Sequence, residues 1–204
     1  MVINWYGEGC FKIQTGGLTL LTDPFGGDIG LTPARGKFEA VLKTLTSWPL
    51  PEKEPDEQVI LGAGEYDIQG VEIRGFGLPN ESTDKFFKTI YLVNAEDLNL
   101  CFLGHLAEYP ESDILDKIKQ VDVLFMPAGG KPFISQELGA KFVKQFDPKI
   151  VVASFYKVAG LKRDADDAKD FVKELGIKEE IEEKLVLKKK DLSESRTRLI
   201  LLKI

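Results

Sequence analysis

His105 is the only histidine in a chain of 204 residues, so any acid–base reading of this sequence begins there. An unperturbed imidazole titrates near ~6.5 and can take and return protons at neutral pH. It follows Leu103-Gly104 at the end of an apolar run, and strand ends are where sites gather in open sheets. Asp23, in Leu20-Leu21-Thr22-Asp23-Pro24-Phe25, and Glu8, in Gly7-Glu8-Gly9-Cys10, are carboxylates in turn-like settings near the start of the chain. No serine or cysteine stands at a recognisable spacing from His105 to act as its nucleophile. The plainer reading makes His105 a hydrogen-bonded structural residue and Asp23 a cap on the turn after a strand. Glu8, Asp23, Glu81 and Asp84 would suit magnesium or calcium if the fold gathered them, since those ions take oxygen donors; solvated surface acids are the simpler account. Gly129-Gly130 could shape an anion-binding turn, or serve only a tight strand-to-helix connection. Cys10 and Cys101 sit far apart among apolar neighbours. They read as small buried hydrophobes in a reducing compartment, and nothing in the sequence supports a disulfide between them.

The elements that must position these groups are β-rich at both ends of the chain. Residues 2–6, 10–15 and 18–22 alternate as short strands, and Gly16-Gly17 between the last two is a two-residue hairpin turn. Asp23-Pro24 breaks the third strand. A loop runs to about Lys37, and a short apolar segment covers 38–42. Residues 49–58 are rich in proline and acid and read as an exposed loop. Strands are predicted at 59–61, 66–68, 71–76, 86–93 and 98–103. Residues 112–120 carry helical spacing of Ile114, Leu115 and Ile118. Residues 121–126 and 149–154 are continuous apolar runs, as in strands covered on both faces. Ser135 is placed to cap a helix running to Gln145 with Leu138, Phe142 and Val143 inward. A helix over 164–175 ends at Gly176, and strands at 185–187 and 199–202 close the chain. Glu179-Glu180-Ile181-Glu182-Glu183 with Lys188-Lys189-Lys190 reads as a solvated turn between strands. The order β, α/β, β predicts two sheets packed together with helices outside, in one domain spanning 1–204.

Composition excludes several classes. Net charge is −6, from 27 basic and 33 acidic residues, whereas a nucleic-acid surface neutralises phosphates with a basic face. No nucleic-acid partner is expected. No apolar stretch reaches the ~20 residues of a membrane span, and the first residues lack a basic segment followed by an apolar run. The expectation is a cytoplasmic protein with no membrane association.

Six collinear segments carry a family resemblance. They are residues 3–11, residues 20–25, Gly62-Ala63-Gly64-Glu65-Tyr66-Asp67-Ile68, Leu103-Gly104, Val121-Asp122-Val123-Leu124-Phe125-Met126-Pro127-Ala128-Gly129-Gly130, and Asp147-Pro148-Lys149-Ile150-Val151-Val152. Together they resemble the metallo-β-lactamase superfamily, in the branch called Zn-dependent hydrolase of β-lactamase fold, which is similar to ascorbate-6-phosphate lactonase. The resemblance covers nearly the whole chain and implies a four-layer αββα sandwich (α+β) of two mixed sheets with external helices. It also implies two divalent metals held by a His-x-His-x-Asp-His loop, single histidines and a bridging aspartate. Such ligands donate lone pairs to a borderline metal, which activates a water and polarises the substrate.

Carried over position by position, those ligands fall on Leu45, Ser47, Pro49 and Leu50 in Thr44-Leu45-Thr46-Ser47-Trp48-Pro49-Leu50, and on Asn80, His105 and Phe155. An early histidine falls on Glu8. The loop after the ligand motif is short, and the helix usual there is missing. One histidine cannot supply several imidazoles, so no metal and no cofactor is expected. The resulting expectation is a non-catalytic protein of this fold with a binding, scaffolding or regulatory role. The alternative is a hydrolase with altered, zinc-independent chemistry, using His105 with Asp23 or Glu8 on a small lactone or phosphorylated sugar. Its partner would be an unknown small ligand or protein, and a homo-oligomer is a further option. Trp48, Pro49, Leu50, Phe155 and Tyr156 bring apolar bulk to the site. The sequence leaves open whether they fill the cavity or line it.

Overall fold

The computed structural model describes residues 1–49, 59–192 and 196–204. The acidic, proline-rich stretch predicted as a loop lies almost wholly outside the described residues, and Leu50 lies there too.

The first sheet begins as an antiparallel meander of β1 (Val2–Gly7), β2 (Cys10–Thr15) and β3 (Leu18–Thr22). Gly16 and Gly17 take φ values of 52° and 95°, and the register closes at Thr15↔Leu18. Positive φ at both central residues is what a tight hairpin matched to strand twist needs. The chain then crosses to parallel pairing through β4 (Ala40–Lys43), leaves the sheet for β5 (Leu45–Ser47), and returns as β6 (Val59–Leu61). Alternate residues point to opposite faces of a strand. Phe11, Ile13, Leu20 and Leu42 accordingly join the core shared with the second sheet, while Cys10, Leu21 and Val41 pack outward with Phe38. That outer face is covered by the segment 24–39 and not by an α-helix among the described residues.

The second sheet opens with β7 (Gly64–Ile68), β8 (Val71–Gly77), β9 (Phe86–Ala95) and β10 (Leu98–Phe102), all antiparallel. Short β5 pairs on β9. After α1 (Ser112–Lys117) the sheet turns parallel with β11 (Val123–Pro127), α2 (Gln136–Phe146) and β12 (Ile150–Ser154). Every residue of β11 and β12 is buried, as their unbroken apolar runs predict. Then come α3 (Lys169–Leu175), β13 (Glu179–Glu182), β14 (Leu185–Val186) and β15 (Arg198–Leu202). The strand orders are β14-β1-β2-β3-β4-β6 and β13-β15-β12-β11-β10-β9-β8-β7. One apolar core joins the two mixed sheets, which is the sandwich expected from the sequence.

Most strand ends shift by a residue or two from the sequence reading and β5 is not anticipated as a strand, while three larger differences have a cause visible in the structure. Helix α1 stops at Lys117, because Ile118 closes it through its N–H to the Ile114 carbonyl and Gln120 turns left-handed at φ 66°. Helix α3 begins at Lys169 and not at Asp164. The preceding backbone is held by loops instead: the Asp166 N–H donates to the Gly129 carbonyl, and the Lys157 N–H to the Asp166 carbonyl. The acidic run predicted as a solvated turn is the edge strand β13, parallel to β15. Arg198 on the neighbouring strand offsets its charge, with Nη2 2.6 Å from Glu180 Oε2 and 3.1 Å from Glu182 Oε1. Charge at an edge blunts pairing with other chains, so acidic composition and strand are compatible there. Ser135 caps α2 as predicted, accepting from the Leu138 N–H.

Candidate functional site at the shared end of the two sheets

Both sheets deliver strand ends to one place. β1 runs out at Gly7 into Glu8, β3 at Thr22 into Asp23, and β4 at Lys43 into Thr44. From the second sheet β10 ends before Gly104-His105, and β12 ends before Phe155. A cavity of about 420 Å³ opens between them, with Glu8, Asp23, Lys43, His105, Phe155 and Arg163 in its wall. Leu45, Phe25, Ile29 and Phe133 supply much of its apolar surface.

Thr44 joins the polar groups of the cavity floor. Asp23 Oδ1 accepts from the Thr44 N–H at 2.7 Å, and Thr44 Oγ1 lies 2.6 Å from Asp23 Oδ2 and 2.7 Å from His105 Nδ1. The direct separation of His105 Nδ1 and Asp23 Oδ2 is 3.8 Å, so the hydroxyl mediates between them. Gly104, at φ 54°, makes this approach feasible: a Cβ there would stand 2.1 Å from Thr44 Oγ1. The ring of His105 is wedged against Phe155, with centroids 4.9 Å apart, and Phe133, at 5.8 Å. Its Nε2 has no hydrogen-bond partner among the described residues.

Glu8 is held from both of its ends. Its carbonyl accepts from Trp5 Nε1 at 3.0 Å and from the Phe155 N–H at 3.1 Å, tying the end of β1 to the end of β12. Its carboxylate accepts Arg163 Nε at 3.1 and 3.2 Å. Arg163 also donates to the Phe155 carbonyl at 2.8 Å and to the Asp164 carbonyl at 2.9 Å. Phe155 sits at φ 56°. That conformation costs a bulky residue ~1–3 kcal/mol and persists only where the surroundings over-determine it. The two hydrogen bonds to Glu8 and Arg163 do that here.

Burial governs the titration of the floor. It pushes the Asp23 carboxyl above its ordinary value, against the smaller opposing pull of His105, Thr44 and Lys43. It holds the His105 imidazole below its ordinary value, against the attraction of Asp23. His105 is therefore neutral at pH 7, and the Asp23–Thr44–His105 chain is a hydrogen-bonded array and not an ion pair. Cys10 and Cys101 are free and buried, and burial pushes both thiols up to about 12, which leaves them unreactive.

Of the positions assigned by resemblance, Leu45, His105 and Phe155 line the cavity, as does Glu8. Ser47 and Pro49 are exposed and outside it, and Leu50 lies outside the described residues. Asn80 lines a separate crevice, where its side-chain amide bonds Glu111. The carboxylate cluster Glu8, Asp23, Glu81 and Asp84 is not assembled. Glu81 lies elsewhere, partly buried, accepting from Lys88 Nζ at 2.8 Å and from the Ala107 and Glu108 N–H groups. Among the described residues no group of three or more His, Cys, Asp or Glu side chains is placed to hold a metal ion. Sequence reasoning missed Thr44, Lys43, Phe133 and Arg163. Thr44 adjoins the ligand loop and was within reach; nothing marks Arg163, which meets Glu8 across 155 residues.

Two mixed sheets face to face, with few helices and a cavity at their strand ends, define the metallo-β-lactamase sandwich class. Residues 2–154 match the family described as Beta-lactamase superfamily domain, and the chain belongs to that family. A UPF0173 protein of Pyrococcus abyssi is 26% identical over 181 residues, covering 78% of this chain and 85% of its own. A Thermotoga maritima structure assigned to the Zn-dependent hydrolases of the metallo-β-lactamase superfamily has a TM-score of 0.81 at 23% identity, with 99% of each chain covered. Igni18, a metallo hydrolase of Ignicoccus hospitalis, has a TM-score of 0.61 at 14% identity, covering 97% of this chain and 94% of its own. At these identities the structures show a shared fold. No helix among the described residues is long and apolar enough to cross a membrane.

Proposed function

We propose that this chain is a non-catalytic member of its hydrolase family, in which the cavity binds a ligand without hydrolysing it and serves a scaffolding or regulatory role. One observation carries the reading: the carboxylates and the imidazole at the cavity are already held by protein donors and acceptors. Asp23 gives both oxygens to Thr44, Glu8 gives both to Arg163, and His105 gives Nδ1 to Thr44. One imidazole nitrogen remains. A zinc pair needs several nitrogen and oxygen donors converging at about 2.0–2.2 Å, and Leu45 and Phe155 offer hydrocarbon. The donor set does not suit two zinc ions, so no step is routed through them.

The test is metal content and linkage. Elemental analysis of the purified chain is expected to find no stoichiometric zinc. Because a ligand that binds only the folded state raises its stability, added zinc is expected to leave Tm unchanged. About two tightly held zinc ions per chain would overturn the reading.

A second reading, favoured by the Asp23–Thr44–His105 array, keeps a hydrolase with His105 as general base through its unpartnered Nε2. It requires activity on a lactone or phosphorylated sugar that survives chelator and is lost in His105→Ala. Equal activity in that variant removes His105 from the chemistry.

A further inference from the structure

Among the described residues, one charged side chain in the cavity wall has no hydrogen bond or ion pair of its own. Glu8 is neutralised by Arg163, whose Nε, Nη1 and Nη2 are each engaged by protein oxygens. Asp23 is deep, desolvated and bonded twice by Thr44. Lys43 remains. It lines the cavity from the end of β4 and makes no hydrogen bond or ion pair among the described residues. The wall around it is mostly hydrocarbon, with Phe25, Ile29, Leu45 and the rings of Phe133 and Phe155. The volume of about 420 Å³ lies within the ~300–1,000 Å³ of small-molecule sites.

Resting on the reading of this cavity as a binding site, we infer that its ligand is a small aromatic carboxylate, with the ring among Phe25, Leu45 and Phe133 and the carboxylate on Lys43. The chemistry selects against the polar alternative. A phosphorylated sugar would bring a dianion and several hydroxyls into a wall that offers few free donors, and unpaired polar groups are costly to desolvate. A monoanion with an apolar body brings a single charged group: its ring displaces water from hydrocarbon, and its carboxylate meets Lys43, which has no hydrogen bond or ion pair among the described residues.

The experiment uses 3-phenylpropionate, its neutral amide 3-phenylpropanamide, the cation 3-phenylpropylamine and glucose 6-phosphate. Each is titrated calorimetrically into the full chain in the presence of chelator. The carboxylate is expected to bind about tenfold more tightly than the amide, the size of one partly exposed charge-assisted contact. Lys43→Met should bring the carboxylate down to the affinity of the amide and leave the amide unchanged. Lys43→Arg should keep the preference. The inference is overturned if amide or amine binds as well as the carboxylate, if glucose 6-phosphate binds better, if Lys43→Met leaves the ratio unchanged, or if no probe gives heat. Zinc is assayed on the purified chain before any chelator is added. A zinc-loaded chain sinks the non-catalytic reading, whereas a zinc-free chain that ignores the carboxylate sinks only the ligand assignment.

Discussion

Thr44 carries more of this site than its residue type suggests. Its hydroxyl spans Asp23 and His105, and its removal leaves a buried carboxylate oxygen and a ring nitrogen without partners. Thr44→Val is expected to cost ~1–3 kcal/mol, read from urea unfolding at pH 7, and Thr44→Ser should recover most of it. Acidification makes a separate demand on His105. Its folded pKa is held below the ordinary 6.5 by burial, so the folded state binds fewer protons than the unfolded chain in that window. Stability from neutral His105 is thus full above about pH 6.5 and is lost as pH falls toward the folded pKa. Asp23 acts with the opposite sign: its pKa is raised from 3.8, so its contribution declines as pH rises from there toward the folded value. His105→Asn should therefore narrow its stability gap to the parent as pH drops below 6.5. Parallel curves for the two proteins would refute this. His105 was legible because it is the only imidazole in the chain, and Asp23 because the family resemblance places its Asp-Pro-Phe segment at the site. Thr44 was not, since a hydroxyl acts here only through a juxtaposition that folding creates.

The loop after β10 is fixed by a residue from another turn. Glu81 accepts from the Ala107 and Glu108 N–H groups and from Lys88 Nζ, with only 8% of its side chain exposed. It thereby sets the position of the segment that presents His105. Glu81→Ala is expected to destabilise the fold by ~1–3 kcal/mol, because it removes the acceptor of the partly buried Ala107 N–H and of the largely buried Lys88 ammonium; Ser135→Ala, at the cap of α2, should cost ~1 kcal/mol. Denaturant midpoints compare the two directly. Strand type was legible where an apolar run was unbroken, as in the runs that became β11 and β12, and helix type where apolar spacing was helical, as in α2. The start of α3 was not, because Asp164 to Ala168 has helical composition while its backbone is claimed by Gly129 and Lys157. The outcome turned on tertiary hydrogen bonds that no local window contains.

At the scale of the molecule, six segments scattered along the chain were enough to anticipate two facing sheets, since their order fixes which strands can be neighbours. β13 escaped that reading because four glutamates in five residues look like solvent-facing loop. Its exposed Ile181, 62% accessible, stands on an otherwise charged sheet edge. If that charge keeps the edge from recruiting a second chain, the double substitution Glu180→Val with Glu182→Val should raise the apparent mass in light scattering, while the parent stays unchanged at the same concentration. An unaltered mass for the variant would show that the edge is protected by something other than its carboxylates.

The single proton on the Thr44 hydroxyl has a further consequence. With Asp23 ionised, that proton points to the carboxylate, Nδ1 of His105 must supply its own to Thr44, and Nε2 shows the cavity a bare lone pair. With Asp23 protonated the whole sequence reverses, and Nε2 carries the hydrogen instead. A carboxyl group with no need to touch the occupant thus decides whether the imidazole greets it as acceptor or donor.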